Sequence, residues 1–174
     1  MKKNVLTVFA IAIIALFSSN KIEAQQSFAK GDINIGVGLG LGSTIGGGLP
    51  LGFHAEYAIA QDISVGAYFA FASYSNAYYK TNVMVLGARG AYHFGNVLNL
   101  PDTIDLYGGA GLYNYGVTYK EKDNTDIAYS GWNGSGLNFG IHIGGRYYFS
   151  DRLGVQVDLG NGIAYLQAGI TYKL

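Results

Sequence analysis

From Leu137 to Phe149 the chain alternates without a break. Leu137, Phe139, Ile141, Ile143, Tyr147 and Phe149 share one face, and Asn138, His142, Arg146 and Tyr148 share the other. A period of two marks a β-strand whose faces meet different surroundings. The pattern recurs, and reading it between turn signals predicts eight strands over 32–42, 49–59, 63–74, 80–94, 104–119, 136–149, 153–160 and 163–174. The less apolar face holds glycine and large tyrosines rather than a solvated run of Lys and Glu. The fold expected from this is all-β, an eight-stranded antiparallel up-and-down transmembrane β-barrel with lipid outside.

Connection lengths fit that order. An even number of strands puts both ends of the domain on one side, the inner side of an exported barrel. Ala60-Gln61-Asp62 and Ser150-Asp151-Arg152 are three-residue inner turns, while 74–80 and 117–135 are longer, polar outer loops. The stretch 95–103, with Asn99 and Pro101, is the exception, a fairly long inner turn.

Opposed residues of a hairpin face the same way, so Phe149 and Leu153 are both expected outward. Asn161-Gly162 reads as a two-residue hairpin turn, which predicts Asp158 opposite Tyr165 inward and Leu159 opposite Ala164 outward. In the fifth strand Leu106, Ala110 and Leu112 are expected to face lipid, and Tyr107, Tyr113 and Tyr115 the lumen. Tyr92, Phe94, Tyr147, Phe149 and Tyr172 end their strands at one inner height, as an interfacial aromatic girdle requires.

Residues 1–24 read as a secretory signal: Lys2 and Lys3 are the basic start, Val5 to Phe17 the apolar core and Ile22-Glu23-Ala24 the cleavage site. The barrel domain is then 25–174. The apolar core is shorter than the roughly 20 residues a spanning helix needs, and no Cys follows to take a lipid. Without the leader the chain keeps 8 basic and 10 acidic residues, a net charge of −2. That balance lacks the clustered basic surface of a nucleic-acid binder. The absence of Cys excludes a disulfide scaffold, a thiol metal site and a thiol nucleophile. The 27 glycines alternate with Ile, Val, Leu and aromatics and so belong to strands rather than to a disordered segment.

The expected interior follows from the facing. Gly36, Gly38, Gly40 and Gly42 make an almost bare face on the first strand, over which inward rings such as Tyr68, Tyr74 and Tyr148 can fold. An eight-stranded barrel is just wide enough for its own side chains to fill. Glu56, Asp105 and Asp158 are assigned inward against Arg89, Arg146 and Lys173, with His54, His93, His142, Gln156 and Gln167 among them. Three acids facing three bases predict a balanced structural network. Arg146 is expected opposite Gln156, and Glu56 near Arg89.

Candidate chemistry is sparse. His54 and Glu56 lie two apart on one strand face, as an acid orienting a catalytic His would. The nucleophile is missing, since Ser64, the nearest inward Ser, lies close to the inner end. In the longest outer loop, Glu121, Asp123, Asn124 and Asp126 lack the alternating acid and Gly pattern of a calcium loop. No metal or cofactor is expected. Tyr129 and Trp132 are candidates for outer-loop contacts.

The strand ends Gly-Ala-Arg-Gly-Ala-Tyr-His-Phe (87–94) and Gly-Gly-Arg-Tyr-Tyr-Phe (144–149) are repeated, and Ala164, Leu166, Ala168, Ile170, Tyr172 and Leu174 alternate to the C-terminus. With the leader ending Glu23-Ala24-Gln25, these features resemble the small eight-stranded outer-membrane barrels of the OmpX/OmpA transmembrane type, often grouped as outer-membrane β-barrel or porin-family domains. The resemblance covers about 28–174. The family usually ends in Phe or Tyr where this chain has Leu174. The resemblance implies insertion into a Gram-negative outer membrane by the barrel assembly machinery, with the lipid bilayer and lipopolysaccharide as partners. It implies no defined reaction.

The function expected is a non-enzymatic integral barrel with a filled lumen and outer loops that serve surface contacts or envelope stability. Two alternatives are an outer-membrane lipid-modifying hydrolase using His54 and Glu56, and a soluble secreted barrel carrying a small apolar ligand. Open aqueous channels belong to barrels of about 16 to 18 strands, so the porin name carries no expectation of conduction.

Overall fold

The computed structural model describes residues 28–43, 48–75, 77, 79–121 and 137–174. The expected leader, the loop residues Asp123, Asn124 and Asp126, and Tyr129 and Trp132 lie outside them. Eight strands form: β1 (Ile33–Ser43), β2 (Leu51–Ala60), β3 (Ile63–Ser75), β4 (Tyr79–His93), β5 (Ile104–Glu121), β6 (Asn138–Tyr148), β7 (Leu153–Gly160) and β8 (Ala164–Lys173). Each pairs antiparallel with its sequence neighbour, and β8 pairs with β1 to close the barrel. A closed sheet leaves no edge, so ladder hydrogen bonds run all the way round. One short helix, α1 (Gly95–Leu98), occupies the long connection between β4 and β5.

The two faces sort as the alternation requires. Outward positions are apolar and exposed, among them Ile35, Val37, Leu39, Leu86, Ile141 and Ile143. Inward positions carry the charge: Glu56, Arg89, Asp105, Arg146 and Asp158 are all buried. Hydrocarbon outside and ion pairs inside invert the usual order of a water-soluble domain. On β5, Leu106 and Leu112 face out, while Tyr107 and Tyr113 are each only 2% exposed.

The interior has two halves. At the end where β1 begins and β8 finishes, the inner end, the filling is polar. Towards the other end Tyr68, Ala70, Ala72, Val83, Val85, Tyr113, Ile163 and Ala164 form an apolar cluster. Ile163 belongs to the β7–β8 turn, yet it is completely buried. Its burial accounts for a departure from the expected hairpin. Instead of a turn at Asn161-Gly162 with Asp158 opposite Tyr165 and Leu159 opposite Ala164, the register is Asp158 to Gln167 and Leu159 to Leu166. Folding Ile163 over the outer mouth takes up two more residues. Ala164 turns inward, and Tyr165 faces out at 61% exposure.

Glycine placement differs in detail from expectation too. Gly36, Gly38 and Gly40 face the lumen, but Gly42 is exposed with φ +71°, outside the inward row. At Gly36 the space is taken by the His54 ring and Gln156, and at Gly40 by Ala164 and Pro50, rather than by Tyr68, Tyr74 or Tyr148. Glycine under tyrosine occurs between the paired strands β5 and β6 instead. A Cβ on Gly144 would stand 2.5 Å from the Tyr107 ring, and one on Gly140 would stand 3.0 Å from Tyr113.

Candidate functional site

The polar half of the lumen is built from inward side chains of β2, β4, β5, β6 and β7, joined into one connected network. Arg146 on β6 lies opposite Asp105 on β5 and opposite Gln156 on β7. Its Nη1 donates to Asp105 Oδ2 at 3.0 Å, and its Nη2 donates to Glu56 Oε2 at 2.5 Å. Arg89 on β4 donates to the other Glu56 oxygen. It also stands 3.7 Å from Asp158, which accepts the Tyr107 hydroxyl at 2.6 Å. The Arg146 guanidinium lies 4.2 Å above the centre of the Tyr107 ring. Two guanidiniums thus bridge three carboxylates, with an aromatic face and a phenol completing the shell. Charge buried to this depth is tolerated only when paired and hydrogen-bonded in this manner.

Lys173 does not join that cluster. It sits half-buried at the inner rim, 3.8 Å from Asp32 and 5.5 Å from the Tyr148 ring centre. A side chain at the end of β8 reaches the mouth more readily than the middle of the lumen. The rim has its own polar chain: Thr171 donates to Asn34 Oδ1 at 2.6 Å, and Asn34 donates to the Tyr148 hydroxyl at 2.5 Å.

His54 and Glu56 do share a face, but both Glu56 oxygens are engaged by arginines. The His54 ring instead meets Gln156 at 3.5 Å. Ser64 has a different histidine. Its Oγ is 3.0 Å from His93 Nε2, and His93 Nδ1 is 2.8 Å from Asp105 Oδ1. Serine, imidazole and carboxylate in that order is the connectivity of a nucleophile relay. Its surroundings give it no room to act. All three residues are buried, and the Phe28 ring stacks on His93 at 3.5 Å and 8°. The adjoining cavity of about 30 Å³ borders His93 and Asp105 but not Ser64. A relay acts on a carbonyl held about 3 Å from the nucleophile, and here the relay ties β3, β4 and β5 together beneath a phenyl lid.

Ser64, His93 and Asp105 were not grouped from the sequence, although the register places them on one diagonal. Ser64 opposes Ala91, two residues from His93, and His93 opposes Tyr107, two residues from Asp105. Phe28 carried no signal, because it precedes the first alternating residue. His142 is buried under the outer turn beside Asp158, in a cavity of about 10 Å³. Neither of its ring nitrogens has a hydrogen-bond partner among the described residues.

Outside the barrel, Tyr92, Phe94, Phe149 and Tyr172 are exposed near the inner end, and Tyr147 is half-buried there. The rings of Tyr92 and Phe94 meet edge to face at 5.3 Å. Among the described residues no group of three or more His, Cys, Asp or Glu is placed to hold a metal ion.

Solved structures share this architecture. The N-terminal β-barrel domain of Pseudomonas aeruginosa OprF matches 83% of this chain and 98% of its own, with TM-score 0.54 and 17% identity. The Yersinia pestis outer membrane protein Ail, solved in a phospholipid bilayer nanodisc, matches 83% and 100%, with TM-score 0.51 and 12% identity. The de novo designed TMB2.3 matches 84% and 96%, with TM-score 0.50 and 21% identity. The likeness is one of fold. No family model matches the chain, and no curated protein matches its sequence.

Proposed function

We propose that this protein is an integral barrel of a Gram-negative outer membrane, exported on a cleavable leader of residues 1–24. In this reading it is non-enzymatic and non-conducting, and its outer loops, with Tyr129 and Trp132, serve surface contacts or envelope stability. The bilayer, lipopolysaccharide and the barrel assembly machinery are its partners, and Tyr92, Phe94, Tyr147, Phe149 and Tyr172 are its inner interfacial girdle. The observation that carries the proposal is the inversion of the two faces: an apolar belt outside a buried network of ion pairs. A soluble carrier of an apolar ligand needs the reverse, a polar exterior and an apolar lumen.

The filled lumen supports a structural role for the interior. The outer half is packed with aliphatic and aromatic side chains, Ile163 among them, and towards the inner end the buried Phe28 ring stacks on His93. Flotation with membranes and heat-modifiable gel migration test the first part. A detergent-independent soluble monomer overturns it. Single-channel recording in planar bilayers tests the second: baseline current is expected, and resolved unitary steps exclude a sealed barrel.

A further inference from the structure

The connection 95–103 is the long inner turn that the alternation of short and long connections leaves unaccounted for. Asn96 Nδ2 donates to Asp62 Oδ1 at 2.6 Å, which fastens α1 to the β2–β3 turn. Leu100 lines the small cavity of the mouth beside Phe28 and His93. Val97 and Leu98 are left outside, 62% and 53% exposed, on a helix with no buried residue. Folding leaves more than half of each of these two aliphatic side chains uncovered.

We propose that Val97 and Leu98 form a foot that seats in the headgroup boundary of a phospholipid bilayer and sets the depth of the β4–β5 side of the barrel. The proposal rests on the membrane reading above. Three observations favour lipid as the occupant. Continuity is the first: Val97 and Leu98 follow Phe94, the residue that caps α1, by three and four positions, and at about 1.5 Å per residue of helix that is a rise of no more than about 6 Å from the Phe94 backbone. That is inside the layer of about 5–10 Å in which interfacial helices bury their apolar faces.

Charge is the second. No Asp, Glu, Lys or Arg occurs from Phe94 to Pro101; the one charged residue of the connection, Asp102, follows α1 and is half-buried against the small cavity of the mouth, whereas the three-residue inner turns carry Asp62 or Asp151 and Arg152 in the turn itself. Size is the third. A specific protein partner covers about 800 Å² on each side, far more than two side chains on a four-residue helix present.

The test is a single-tryptophan depth measurement. In a Trp132→Phe background, which removes the sole native Trp, Val97→Trp and, separately, Leu98→Trp probe the foot, while Leu86→Trp probes the middle of the belt. Each full-length mature variant is reconstituted in phosphatidylcholine vesicles with bromine atoms either near the headgroup end or near the tail end of the acyl chain, and folding is verified by heat-modifiable migration. The expected result is a blue-shifted Val97→Trp emission that loses intensity to shallow bromines more than to deep ones, with Leu86→Trp losing more to deep ones. Water-like, unquenched emission from both Val97→Trp and Leu98→Trp beside a quenched Leu86→Trp overturns the foot, leaves the membrane reading standing and turns α1 over to a protein partner. Unquenched emission from all three removes the membrane reading and the foot with it.

Discussion

Arg146 and His142 are both buried inward side chains of β6, but the lumen treats them differently. Arg146 is held by two carboxylates and an aromatic face. Removing it strands Glu56 and Asp105 with less compensation, and breaking a buried pair in this way costs about 3–5 kcal/mol. His142 has no hydrogen-bond partner among the described residues, so replacing it by an apolar group of similar size forfeits no bond. Arg146→Leu is therefore expected to lower stability by about 3–5 kcal/mol, and His142→Leu to leave it within about 1 kcal/mol or raise it. Reversible urea unfolding in lipid vesicles reads both; equal losses would mean that hydrogen bonding does not separate the two sites. A third substitution tests packing instead of charge. A Cβ at Gly144 meets Tyr107 at 2.5 Å, and Tyr107 cannot move without loosening its hydrogen bond to Asp158 and its contact with Arg146. Gly144→Ala is expected to cost about 1–3 kcal/mol in the same assay, the range for overpacking.

The β7–β8 turn carries the clearest consequence at the level of elements. Ile163 is buried among Tyr68, Val83, Val85 and Tyr113, so Ile163→Ala removes the centre of the outer filling and is expected to cost about 2–5 kcal/mol. Asn161→Ala, on an exposed residue of the same turn whose Oδ1 accepts the Ile141 N–H at 3.4 Å, is the control and is expected to cost about 1 kcal/mol or less. Similar losses at both positions would mean that the turn acts through its backbone and not through the plug. The same turn marks where the sequence stops being legible. The strands, their order and their facing follow from a period of two repeated eight times, and a slip of one residue would invert every face. A slip of two residues inverts none, so alternation alone did not separate the Asn161-Gly162 hairpin from the longer turn that buries Ile163. The ion pairs show the same limit. Glu56, Arg89, Asp105, Arg146 and Asp158 were legible as inward charges, and Arg146 opposite Gln156 follows from the short 150–152 turn. Arg146 opposite Asp105 depends on the β5–β6 register, across a connection too long to count through. Lys173 was assigned inward by parity, which carries no information on height, and it ends at the rim with Asp32.

Across the whole molecule, the inverted faces make stability a function of depth. In water, an exposed Leu is replaced by Lys at little cost wherever it lies on a sheet. In a bilayer, the same change costs about 2–4 kcal/mol at the midplane and about 0–1 kcal/mol near the interfaces. Leu86 and Leu153 are matched for such a comparison. Both are outward and exposed, but Leu86 lies six residues along β4 from Tyr92, whereas Leu153 opens β7 directly after the inner turn. At about 3.3 Å per residue on strands tilted by about 40°, six residues climb roughly 15 Å from the aromatic level, half the thickness of a bilayer core of about 30 Å. Leu86→Lys is therefore expected to destabilise the barrel by about 2–4 kcal/mol and Leu153→Lys by about 1 kcal/mol or less, both measured by unfolding from phosphatidylcholine vesicles. Repeating the pair in detergent micelles, which conform to the protein and impose no fixed thickness, should shrink the difference. Equal, small costs in vesicles would mean that the belt does not sit in hydrocarbon, and the apolar exterior would then need another occupant.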